Sequence, residues 1–89
     1  VSGLDWVPLR TLGSYTRRSG DALLIESYRD AYELNESGAF VWLRVGSGET
    51  AAVIADELAQ RYELDREDAQ RHVDAFLQQL VSHRFVVAP

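Results

Sequence analysis

The chain has 89 residues, 46% of them hydrophobic, 26% charged and 10% aromatic, with no cysteine and a formal net charge of −5. At roughly 100–200 residues per domain this length describes one small globular unit over residues 1–89, and its two Trp, four Tyr and three Phe exclude a disordered acidic tail. The missing cysteine excludes a disulfide framework, a thiolate zinc site and a cysteine nucleophile. All nine cations are arginine, so Schiff-base chemistry and a P-loop lysine are absent. No apolar run could cross a bilayer and nothing resembles a signal peptide, so the expectation is a cytoplasmic protein with no membrane partner.

Residues 1–10, including Trp6 and Pro8, read as an extended lead-in. A first strand is expected over Leu12 to Arg17, weakened by Gly13. Arg18-Ser19-Gly20-Asp21 supplies a tight turn, and Ala22 to Tyr28 is the strongest strand signal. Arg29-Asp30 turns the chain again, and Ala31-Tyr32-Glu33-Leu34 returns as a short third strand. By the two-residue period Tyr32 and Leu34 point to the core, while Ala31 and Glu33 face away. Such a small antiparallel meander needs a helical layer on one face.

From residue 35 the period becomes helical. Asn35 is an N-cap, Glu36 adds negative charge to the first turn, and Phe40 to Leu43 form a short helix ending before Gly46-Ser47-Gly48. Thr50 caps a second helix in which Ile54, Leu58 and Tyr62 recur every four positions, with Ala51 and Ala55 beside them. Asp65 caps a third helix whose apolar set is Ala69, Val73, Phe76, Leu77, Leu80 and Val81. Phe85-Val86-Val87 closes the chain, docked on the core. Gly38, inside a helix where glycine costs about 1 kcal/mol against alanine, signals close packing of another segment. The resulting fold class is α+β: a three-stranded antiparallel sheet followed by three helices, winged-helix-like.

Catalytic patterns are lacking. His72 and His83 lie about 16 Å apart along the third helix by its 1.5 Å rise, too far to share a metal, and read as solvated. No serine lies in a G-x-S-x-G elbow. Gly46-Ser47-Gly48 lacks the lysine and preceding strand of a phosphate loop. Asp56-Glu57 and Glu67-Asp68 are neighbours that do not face each other on a helix. No catalytic residue, metal or cofactor is expected. Nucleic acid is disfavoured by charge: residues 36–89 hold five Arg against nine acids. The third helix also opens Asp65-Arg66-Glu67-Asp68, where a recognition helix needs cations toward phosphate and base edges.

The stretch Tyr32-Glu33-Leu34-Asn35-Glu36-Ser37-Gly38-Ala39-Phe40-Val41-Trp42 closely resembles the strand-to-helix junction of the PqqD-like family, approximately aromatic-x-Leu-Asn-x-Ser/Thr-Gly/Ala-x-x-aliphatic-Trp. The resemblance continues through the Thr50-capped helix and a third helix with Val73, Phe76 and Leu77, covering about residues 20–87. One departure stands at the end, where the family commonly places a glycine and this chain has Ser82-His83-Arg84-Phe85-Val86. The resemblance implies a RiPP recognition element, which binds the leader of a ribosomally made precursor peptide as a fourth strand beside the third strand and against the third helix. It implies peptide contacts along Ala31, Tyr32, Glu33 and Leu34 and in apolar pockets on Val73, Phe76, Leu77 and Leu80. Arg71 and Asp74 would read polar leader residues.

Leu34, Trp42, Ile54, Leu58 and Leu80 read as core on pattern alone. Tyr32, Val73, Phe76 and Leu77 are shared between core and groove, and Asn35 reads as a cap and not a peptide contact. The implied partners are the leader and a leader peptidase, as in the stand-alone proteins of lasso peptide pathways. A radical SAM enzyme takes the peptidase's place if the pathway is of the pyrroloquinoline quinone or mycofactocin type.

Overall fold

The computed structural model describes residues 3–87. Its elements are β1 (Tyr15–Ser19), β2 (Ala22–Glu26), β3 (Ala31–Leu34), α1 (Glu36–Trp42), α2 (Ala51–Tyr62) and α3 (Arg66–Ser82). The sheet is an antiparallel meander in the order β1-β2-β3, with Thr16 opposite Ile25 and Ile25 opposite Tyr32. The α+β order of three strands and then three helices is as expected from the sequence.

Several boundaries differ. β1 runs on to Ser19 past the expected Arg17, and β2 stops at Glu26 and not at Tyr28, because the bond from the Ser27 amide to the Asp30 carbonyl closes the turn there. The first strand begins at Tyr15 and not Leu12, because Thr11 to Ser14 form a turn: Gly13 has φ +86° and the Ser14 hydroxyl donates to the Thr11 carbonyl at 2.8 Å. The lead-in, whose first two residues lie outside the described range, is more than extended chain. Pro8 is fully buried, Leu4 is buried and Trp6 packs on the core. The Ala51 and Ala52 amides donate to the Trp6 and Leu4 carbonyls at 2.8 and 3.1 Å. Those are first-turn N–H groups of α2, which have no partner within the helix.

Local chemistry places the helices. Asn35 caps α1 by accepting from the Gly38 amide, and Thr50 caps α2 by accepting from Val53. Asp65 occupies the N-cap position of α3 but makes no side-chain cap bond. At the far end of α3 the amides of Phe85 and Arg84 donate to the carbonyls of Leu80 and Val81 at 2.8 and 3.0 Å. This is a Schellman closure, with Arg84 at φ 65° in the place usually given to glycine. The missing glycine therefore leaves the turn intact.

The core lies between the inner face of the sheet and the helices. It contains Ile25, Leu34, Trp42, Ile54, Leu58, Val73, Leu77, Leu80 and Phe85. The buried Trp42 finds a partner for its indole N–H in the Thr16 hydroxyl at 2.8 Å, and the Arg10 guanidinium lies 4.2 Å over its ring. Phe85 and Val86 dock on the core as expected, whereas the Val87 side chain is exposed and only its backbone is engaged. Val86 bridges Arg10 in antiparallel fashion, flanked by bonds from Thr11 to Phe85 and from Val87 to Leu9. Among the described residues no helix is long and apolar enough to cross a membrane, and no cluster of His, Asp and Glu could hold a metal.

Candidate groove between the sheet edge and the third helix

The strand order leaves β3 at an edge of the sheet. The β2–β3 turn fixes which of its backbone groups are open. The Ser27 amide donates to the Asp30 carbonyl at 2.9 Å, so Ser27 and Asp30 form a hydrogen-bonded antiparallel pair. Bonding alternates along such a ladder. Tyr32 and Leu34, opposite Ile25 and Leu23, therefore bond inward to β2, and Ala31 and Glu33 turn their N–H and C=O outward. Side chains alternate the other way: Leu34 is buried and Tyr32 half-buried, while Ala31 and Glu33 are exposed.

Beside this edge, side chains alone span the gap to α3. The Tyr32 hydroxyl donates to Gln79 Oε1 at 2.6 Å, and the Tyr32 ring meets Phe76 edge-on at 6.3 Å. Phe76 is half-buried and lies over Gly38 at the start of α1. A Cβ on Gly38 would stand 3.3 Å from the Phe76 ring and 2.9 Å from Asn35 Oδ1. The close-packed segment signalled by Gly38 is thus α3 through Phe76. Two adjoining depressions share Tyr32, Asn35 and Phe76. One of about 220 Å³ continues over Gly38, Val41, His72, Ala75 and Gln79, and the other, of about 240 Å³, over Glu33 and Leu34. An apolar floor with a polar rim, next to unpaired backbone, can hold alternate side chains of an extended peptide.

The residues expected at the site separate into three groups. Ala31, Tyr32, Glu33, Leu34 and Phe76 come together at the edge and groove. Val73, Leu77 and Leu80 are fully buried, so they support the groove from beneath and present no surface to it. Arg71 and Asp74 lie on another face of α3, lining a shallow depression with Gly3, Leu4, Glu67 and Gln70. Arg71 is paired there with Asp68. The helical period explains the division, since His72, Ala75, Phe76 and Gln79 form one i, i+3, i+4, i+7 row.

Sequence reasoning missed the polar rim. Asn35 is the expected cap, its Oδ1 accepting from Gly38 at 2.7 Å, yet it also lines both depressions. His83, read from the sequence as solvated, is engaged instead: its Nδ1 lies 2.7 Å from Asp30 Oδ2, and its ring stands edge-on to Tyr32 and stacks with Phe85. That bond, followed by the Ala31 amide, holds the Asp30 carboxyl below the usual carboxylate range.

The fold and the open edge beside a helix define a small α+β domain with a three-stranded antiparallel sheet followed by three helices. The family model described as coenzyme PQQ synthesis protein D (PqqD) matches residues 22–86. The chain belongs to the PqqD family. Among solved structures it is similar to "Lasso peptide synthetase B1 complexed with the leader peptide", at TM-score 0.84 and 20% identity over 93% of this chain and 100% of that one. It is also similar to TbiB1 in complex with the TbiA(beta) leader peptide, at TM-score 0.81 and 17% identity over 91% and 96% of the two chains. A third is the solution structure of the PqqD truncation of Methylobacterium extorquens PqqCD, described as a functional and stand-alone RiPP recognition element. It matches at TM-score 0.78 and 20% identity, covering 92% of this chain and 89% of that one. No curated protein sequence matches the chain.

Proposed function

We propose that this protein is a non-catalytic recognition element that takes the leader of a ribosomally synthesised precursor peptide as a fourth strand on β3. The observation that carries this reading is the outward-facing, unpaired backbone of Glu33 on the β3 edge alongside a groove floored by Phe76, in a chain of the PqqD family. Backbone pairing along the edge supplies affinity with little sequence demand, and the depressions around Phe76 select alternate leader side chains. Tyr32, Leu34 and Phe76 contact the leader, Val73, Leu77 and Leu80 fix the floor beneath it, and Arg71 and Asp74 meet only leader residues that run past α3 to its other face. The protein then delivers the bound precursor to a separate leader peptidase of a lasso peptide pathway, in the cytoplasm. Two similar structures whose descriptions name leader peptides, one of them a lasso peptide synthetase, support this pathway. The PqqD family match favours a second reading, in which the client enzyme is a radical SAM protein.

The test is binding of the leader of the precursor peptide encoded beside the gene, measured by fluorescence anisotropy. Micromolar or tighter affinity is expected, with no chemical change to the peptide. Phe76→Asp should weaken binding at least about tenfold, the scale of one buried anchor. Arg61→Asp, on the exposed surface of α2, should leave it unchanged. Because Phe76 also packs on Gly38, a second variant at exposed Ala75, Ala75→Arg, fills the depression over Gly38 and His72 without touching the core. Equal losses for Ala75→Arg and Arg61→Asp, or no leader affinity at all, would sink the proposal.

A further inference from the structure

The β2–β3 turn holds a contact for which leader binding alone gives no reason. Asp30 uses both carboxylate oxygens: Oδ1 accepts from the Ala31 backbone amide at 2.9 Å, and Oδ2 lies 2.7 Å from His83 Nδ1. His83 closes α3 and is itself fixed, edge-on to Tyr32 at 5.2 Å and stacked with Phe85 at 6.3 Å. The Asp30 and His83 side chains are 40% and 42% exposed, within reach of an arriving peptide.

Ala31 and Glu33 are the two β3 residues whose backbone faces the open edge. An added strand offers a carbonyl to every second amide of that edge. At Glu33 it meets an unpaired N–H. At Ala31 it meets an amide already bonded to an ionised carboxylate, and such charge-assisted bonds are roughly twice as strong as the neutral bond a peptide carbonyl could offer. The His83 contact holds the carboxylate at that amide and keeps it anionic. We propose that Asp30, held by His83, is a register-setting residue of the β3 edge: it closes the Ala31 amide to strand addition and leaves Glu33 as the docking position. The identity of the added strand as a leader rests on the function proposed above; the closed amide does not.

A second feature fits a chain that leaves the strand edge at this point. A depression of about 500 Å³ begins at Asp30 and His83 and runs between Leu12, Tyr28, Arg29 and Arg84. Leu12 and Tyr28 are almost fully exposed, at 102% and 92%. Arg29 and Arg84 make no ion pair among the described residues. A peptide diverted from Ala31 by the carboxylate passes directly into this space.

Amide solvent exchange in the ¹⁵N-labelled protein tests the assignment, with and without the leader encoded beside the gene. In the free protein the Ala31 amide should exchange at least about tenfold more slowly than the Glu33 amide, as a bonded group against an open one. Asp30→Ala should bring Ala31 to the Glu33 rate, while Asp30→Asn, which keeps an Oδ1 acceptor, should retain part of the protection. Adding leader should slow Glu33 and leave Ala31 unchanged. Three results would overturn the proposal: equal rates in the free protein, an Asp30→Ala variant that still protects Ala31, or a leader that slows Ala31 further by displacing the carboxylate. A leader that slows neither amide, while Ala31 stays protected through Asp30, contradicts the leader reading and still supports the closed amide.

Discussion

Arg84 shows how one residue can carry a local cost for a global closure. At φ 65° an L side chain meets the following carbonyl, a strain of about 1–2 kcal/mol that glycine escapes. Its amide and that of Phe85 nevertheless close α3 and bring fully buried Phe85 into the core. Arg84→Gly should raise stability by about 0.5–1 kcal/mol once the extra backbone entropy of glycine is set against the relieved strain. Chemical denaturation measures this. Glu57 is a second such residue. Its Oε1 is enclosed with no hydrogen-bond partner; that desolvation, followed by neighbouring Glu49, pushes its carboxyl up, against a partial offset from Arg44 at 3.7 Å. A carboxyl raised in the folded state favours folding when protonated, and the benefit disappears as pH rises through the folded value. Glu57→Gln should therefore raise Tm near neutral pH and lose that advantage below about pH 4, where both states are protonated. Thermal melts at the two pH values decide the sign.

At the scale of elements, the caps separate by geometry in a way composition conceals. Asn35 and Thr50 accept from helix amides, whereas Asp65 makes no cap bond. Asn35→Ala and Thr50→Ala should each cost about 1 kcal/mol and Asp65→Ala clearly less, read as shifts in urea midpoint. The same contrast marks what sequence alone could show. Strands, helices and caps follow from period and residue type, which act over a few residues, so the order of elements was legible from residue 15 to Ser82. The phase of α3 against its neighbours was not. Val73, Phe76, Leu77 and Leu80 form one apolar stripe in sequence, yet successive residues sit 100° apart on the helix. Phe76 therefore reaches the groove while the other three are sealed in the core. His72 reads as solvated surface and Asn35 as a cap, and their place at the groove shows only when β3 is set beside α3. The lead-in was equally hidden, because its bonds to α2 join residues more than forty positions apart.

In the whole molecule, the sheet has two edges, β1 and β3, and they present different surfaces. Every residue of β1 is exposed, and Arg17 and Arg18 place charges along it, with Arg17 paired to Glu26 on β2. Charged side chains on an exposed strand discourage further pairing. The β3 edge instead lies beside the groove, and its far end is bounded by the Tyr32–Gln79 and Asp30–His83 bridges between strand and helix. Under the proposed function, strand addition at this edge calls for no nucleophile or metal, in keeping with the sparse chemistry of the sequence. The net charge of −5 and the exposed Glu67 and Asp68 at the start of α3 also set the surface against phosphate backbones. Mobility-shift titration with genomic DNA fragments at physiological salt should accordingly show no complex. The central claim, that β3 accepts the leader as a strand, is tested most directly by isotope-filtered NOE spectroscopy of the labelled protein with its unlabelled leader peptide. Interstrand backbone contacts from the leader to Glu33 and its β3 neighbours are expected, together with side-chain contacts to Phe76. Leader contacts confined to β1, or to α3 with no backbone contact on β3, would contradict it.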